Sequence, residues 1–127
     1  MLGRARLVAN FKSADLDRTI SFYEGTLGLR VLHRREIMPG VDEVRFDAGG
    51  AILCFESGDP QGRTNDLVGF DVDDVVATAA ALREQGVVFE EYDYPSLKTV
   101  DGVATIGTMQ AAWFKDPDGN LLALVSG

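Results

Sequence analysis

The stretch "SADLDRTISFYEGTLGLRVL", residues 13–32, decides the fold. Leu16, Ile20, Tyr23 and Leu27 recur at spacings of four, three and four, so one stripe of a helix is apolar. Asp15 has the side chain of an N-cap, whose oxygen accepts from an orphan amide of the first turn. Gly28 suits the left-handed residue that ends a helix. The run "LVANF" before this helix and "LRVLHRREI" after Gly28 are rich in β-branched and apolar residues, as strands are. The segment reads strand, helix, strand.

The same pattern returns later in the chain. "LVGFDVDDVVATAAALREQGVVFEE" also passes from an apolar run to an aspartate, a helical pattern and a glycine. Setting Asp15 on Asp74 is a shift of 59 residues, which places Val8 on Leu67 and Leu16 on Val75. Val75, Ala79 and Leu82 form the second helix's apolar side, with Asp73 or Asp74 at its start and Gly86 past its end. A further match sets "FDAGGAILCFES" (46–57) against "FKDPDGNLLALVSG" (114–127), with Leu53 on Ala123. "DAGG" and "DPDG" are turn sequences. Each half then reads strand, helix, strand and hairpin, with "VVFEEYDY" as the second half's strand after its helix. The expectation is an α+β fold: two βαβββ modules, about 1–60 and 64–127, in one domain, their sheets combining into a curved, half-open barrel. Residues 93–109 mix Pro95, Gly102 and Gly107 with few apolar residues and read as a long lid-like loop.

Composition limits the chemistry. One cysteine, Cys54, excludes an internal disulfide and a multi-cysteine zinc site, and one histidine, His33, excludes any site needing two from one chain. The net charge of -8 argues against a nucleic-acid partner, whose phosphates call for clustered Lys and Arg. The basic run "HRR" at 33–35 is flanked by Glu36 and reads as the solvent side of a strand. No apolar run approaches the ~20 residues a membrane span needs, and no apolar segment precedes the first N-terminal charges, so the expectation is a cytoplasmic protein.

The stretch at 13–32, "VGFDVDDVVATAAALREQGV" and "AAWFKDPDGNLLALV" together resemble the vicinal oxygen chelate superfamily. That superfamily holds glyoxalase I, extradiol dioxygenases, fosfomycin-inactivating enzymes and bleomycin-binding resistance proteins. The resemblance implies one divalent metal per site, held by His, Glu or Gln from the first and last strands of the modules. Carried over one at a time, those positions fall on Val8, Leu67, Leu53 and Ala123, all hydrocarbon. Glu56, three residues from Leu53, has the opposite strand parity. The expectation is therefore no metal and no cofactor. The resemblance also implies that Trp113, three residues before Asp116, points its ring at the ligand, and that two chains form a homodimer.

Strand alternation groups Arg6, Val8 and Asn10 with Leu53 and Phe55 in one module, and Leu67 and Asp71 with Met109, Trp113 and Ala123 in the other. These residues are expected to line a mostly apolar cup for a small, partly hydrophobic or aromatic molecule, with Asn10, Asp71 and Arg6 as its polar groups. For Val8, Leu53 and Leu67, plain core packing competes with ligand contact. Tyr92 and Tyr94 are placed to close over a guest. His33 reads as a half-exposed strand residue rather than a general base, and Cys54 as an inert thiol under a helix. The functional expectation is a sequestration or resistance-type binding protein rather than an enzyme. The alternative is a metal-free isomerase or lyase of a small carbonyl compound, with Asp71 as its acid or base. Metal-dependent glyoxalase activity comes third.

Overall fold

A computed structural model describes residues 3–4, 6–60 and 66–126, with Asp66 and Leu67 described by backbone alone. Contacts divide the chain into two compact units, Met1–Gln61 and Gly62–Gly127.

The N-terminal unit runs β1 (Val8–Ser13), α1 (Leu16–Ile20), β2 (Arg30–Met38), β3 (Val41–Ala48) and β4 (Ala51–Ser57). The Asp15 carboxylate caps α1 by accepting from the Arg18 amide at 3.2 Å. Past Ile20 the helix widens into a π turn over Ser21–Thr26, in which the Leu27 amide reaches the Phe22 carbonyl at 2.9 Å. This extra residue rotates the stripe. Leu16, Thr19 and Tyr23 are buried, whereas Ile20 and Leu27 are half-buried. Gly28, at φ +78°, ends the helix.

The four strands order β1-β4-β3-β2, with β1 parallel to β4 and the other pairs antiparallel. Tyr23 of the helical segment packs its ring 4.7 Å from Phe55 and 5.5 Å from Phe46, the aromatic core of this unit. Two residues, Gly49 and Gly50, both at positive φ, close the β3–β4 hairpin between Ala48 and Ala51.

The C-terminal unit runs β5 (Asp66–Asp71), α2 (Val75–Glu84), β6 (Asp93–Tyr94), β7 (Leu97–Val100), β8 (Val103–Ile106), β9 (Met109–Lys115) and β10 (Leu121–Ser126). Asp74 caps α2 by accepting from the Ala77 amide at 3.0 Å. Val75 and Ala79 are buried on its inner side. β5 pairs in parallel with β10, which pairs with β9, and the order continues β8-β7-β6. Asp116 locks the five-residue β9–β10 turn, accepting from the Asp118 and Asn120 amides at 2.9 and 2.8 Å and from Asn120 Nδ2 at 2.8 Å. No helix among the described residues is long and apolar enough to cross a membrane.

Two expectations are corrected here. "VVFEEYDY" is not one strand: it meets the sheet by a single bridge, Phe89 to Phe114, then by the two-residue β6. Residues 93–109 are not a loop but a meander of β6, β7 and β8. Asp101 (φ +51°) and Gly102 (φ +79°) make the two-residue turn between β7 and β8, and Gly107 (φ +63°) helps turn β8 into β9. The backbone of residues 87–92 has little free edge to join, because β8 takes residues 109–112 of β9.

Candidate functional site

The register of β1 and β4 fixes which side chains share the helix-free face of the N-terminal sheet. Val8 lies beside Ile52, Asn10 beside Cys54 and Lys12 beside Glu56. The Lys12–Glu56 ion pair at 2.8 Å marks that face. The Phe11–Phe55 stack at 5.3 Å marks the other, under the helix. The expected face of Leu53 and Phe55 is therefore corrected. Both are buried, Phe55 against Tyr23 and Leu53 across from Phe46, on the side away from Val8 and Asn10. Cys54, expected under the helix, stands on the helix-free face instead.

The cause is a one-residue offset between the two hairpins. Asn10 pairs with Cys54, and Gly69, 59 residues after Asn10, pairs with Ala123. Cys54 is thus the structural counterpart of Ala123. Laying Leu53 on Ala123 sets Gly50 on Asn120, whereas the strand register sets Gly50 on Gly119, so the sequence match was one residue out and every β4 side chain changed face.

The same face holds a cluster that the sequence reading missed. Glu43 and Arg45 are two apart on β3, with Arg35 directly across from Glu43 and His33 across from Arg45. The Glu43 side chain is 4 % exposed. Its Oε2 accepts from Arg35 Nε at 2.9 Å and lies 3.0 Å from His33 Nε2. Its Oε1 accepts from Arg45 Nε at 3.3 Å and from Cys54 Sγ at 3.3 Å. Burial pushes the Glu43 carboxyl up, but the bonds from His33, Arg35, Cys54 and Arg45 outweigh it and hold the group at about 2. An ionised carboxylate only accepts, which assigns the hydrogen to His33 Nε2. Burial, then the neighbouring Glu43, pushes the Cys54 thiol up to about 11. Plain alternation would put Val31, His33 and Arg35 on one face; an irregularity in the β2–β3 register between Val31 and His33 turns His33 and Arg35 away from the Val31 side, and nothing in "RVLHRRE" announces it.

Arg6 is engaged within its own unit. Its Nη2 donates to Asp47 Oδ1 at 2.9 Å and its Nε to the Gly50 carbonyl at 3.0 Å. Val8 and Asn10 are exposed on β1.

In the C-terminal unit, Ala123 lies between Trp113 and Gly69, and Val125 between Ala111 and Asp71. Trp113 alternates with Phe114, which packs on Phe89 with ring centroids 5.4 Å apart. The half-buried Trp113 ring meets Tyr92 edge-on at 5.6 Å, and Tyr92 stacks with Tyr94 at 6.2 Å. Met109 follows the parity of Trp113 and is exposed, as is Asp71. The structure thus brings Asp71, Met109, Trp113 and Ala123 to one sheet face. Leu67 lies on β5, its side chain outside the described residues. A separate groove of about 700 Å³ lies on the helix side, lined by Val76, Ala80, Arg83, Val100 and Val103, and does not include Trp113.

Among the described residues no three His, Cys, Asp or Glu side chains are grouped to hold a metal ion. At the positions that align with metal ligands in the resembled superfamily stand Val8, Leu67, Ala123 and, by register, Cys54, whose thiol stays protonated over the neutral range. That donor set does not fit a divalent ion.

Solved structures share the fold. A glyoxalase family protein from Enterococcus faecalis is 22% identical with a TM-score of 0.74, covering 98% of this chain and 99% of that one. The genomically encoded fosfomycin resistance protein FosX from Listeria monocytogenes is 19% identical with a TM-score of 0.71, covering 100% and 93%. Another structure of that FosX is complexed with Mn(II) and sulfate. At these identities the likeness is one of fold. No curated relative matches the chain. Residues 9–124 match the family model of the Glyoxalase/Bleomycin resistance protein/Dioxygenase superfamily, and the chain belongs to that superfamily.

Proposed function

We propose that this member of the superfamily binds a small, partly hydrophobic or aromatic molecule without a metal, on the helix-free face of the C-terminal sheet. The observation that carries the reading is the pairing of Ala123 with Trp113. A methyl group takes the place of a ligating carboxylate, directly beside an aromatic row of Trp113, Tyr92 and Tyr94. Such a row offers stacking area rather than lone pairs. Asp71 at the edge of the face is exposed, so it lacks the burial that would favour the isomerase or lyase alternative. The reading includes a homodimer, as the resemblance implies, and a cytoplasmic location.

A thermal-shift screen of aromatic compounds tests it. Hits are expected to raise the melting temperature, because a ligand that binds only the folded state stabilises it by mass action. Trp113→Ala is expected to weaken those hits at least tenfold. Unchanged affinity in that variant would move the site elsewhere.

A further inference from the structure

The Glu43 cluster holds more positive charge than its own pairing requires. One carboxylate is surrounded by two guanidiniums, a half-exposed imidazole and a thiol, and its acceptor positions are taken. Arg35 and Arg45 each reach Glu43 through Nε only, so the Nη1/Nη2 edge of each has no hydrogen-bond partner among the described residues. The Arg35 side chain is 60% and the Arg45 side chain 30% exposed, so neither guanidinium is sealed in the core. The other carboxylates of this face are already engaged: Glu56 with Lys12, and Asp47 with Arg6 and Arg30. In a chain of net charge -8, this face carries more cations than carboxylates.

A surface ion pair needs no such construction, since one exposed arginine facing one carboxylate suffices. Here a buried glutamate, across the strand from one arginine and two residues from the other, holds both side chains by Nε, leaving their Nη groups without a hydrogen-bond partner among the described residues. A guanidinium fork matches two oxygens of an oxyanion. We infer that Arg35 and Arg45, positioned by Glu43, form a binding site for the oxyanion group of a small molecule, a carboxylate or a phosphonate. His33, across from Arg45 on the neighbouring strand, borders the site. The residues belong to the N-terminal unit, and the site does not rest on the Trp113 reading.

The test is an NMR titration of the full chain labelled at arginine Nε, at pH 7 and fixed ionic strength. Acetate and methylphosphonate are the probes, acetamide is the uncharged control, and none carries an aromatic ring to engage Trp113. The expected result is saturable shifts of the Arg35 and Arg45 signals with at least one oxyanion and none with acetamide. The tighter of the two tells which group the site takes. Arg45→Lys keeps the charge but loses the fork, and is expected to weaken binding at least tenfold. Arg34→Lys, on the opposite parity and paired with Asp17, is expected to change it less than twofold. Melting temperatures of both variants show that they are folded. Absent or non-saturating shifts with both anions, equal shifts with sodium chloride, or equal effects of the two variants would overturn the proposal. Trp113→Ala serves as the cross-check. Persistence of the arginine shifts in that variant supports a separate site, and their loss overturns the independence claimed for it.

Discussion

Glu43 shows how one buried charge can decide the behaviour of a sheet face. Its carboxyl is held at about 2 against an ordinary 4.5, so the folded state prefers the ionised form more than the unfolded chain does. The stability this gives is complete above pH ~4.5 and is lost as pH falls toward ~2. The loss is on the order of 2–3 kcal/mol. Urea unfolding followed from pH 6 to pH 2.5 is expected to show that extra acid loss in the native sequence and not in Glu43→Gln. Parallel pH profiles for the two proteins would contradict the assignment. The sequence disclosed less at this scale. Glu43, Arg35 and Arg45 are ordinary strand charges until the register sets them side by side. Leu53 and Cys54 are adjacent residues whose faces depend on a strand register that composition does not reveal.

Helices and their caps were the most legible elements. Asp15, Asp74, Gly28 and Gly86 act where their chemistry suggested, because capping is a local interaction that a short window contains. The π turn was not visible, since nothing in "ISFYEGT" announces an extra residue. Residues 93–109 were misread because three short turns gave a loop-like composition, while the four-residue strands between them are too brief to show alternation. The Asp101-Gly102 turn is the firmest of these. A Cβ on Gly102 would stand 2.8 Å from the Phe89 Cβ, at φ +79°. Gly102→Ala is therefore expected to lower unfolding stability by about 1–3 kcal/mol, measured by chemical denaturation. Gly3→Ala, with open space around it, is expected to cost little. Equal costs would mean that the turn is not under this constraint.

Seen whole, the chain keeps the superfamily's two-module plan while changing what its inner strands offer. The repeat was readable because each half follows its first strand with an aspartate-capped helix. The ligand positions were readable as residue types, and the hydrocarbon character of Val8, Leu67 and Ala123 follows from the sequence alone. Elemental analysis of purified, dialysed protein is expected to find far less than one divalent ion per chain. A stoichiometric, tightly held ion would refute the metal-free reading whatever the ligand screen returns.

The two-glycine link between Ala48 and Ala51 leaves β4 no slack. It works like a reading frame: delete one glycine and β4 must slide by a single step. Phe55 and Leu53 would then turn to the charged, helix-free face while Cys54 and Glu56 turned into the aromatic core, inverting an entire strand through the loss of one small residue. The longer link at 116–120 is bolted by Asp116 instead, so natural length variation in this chain should be tolerated least where it is shortest.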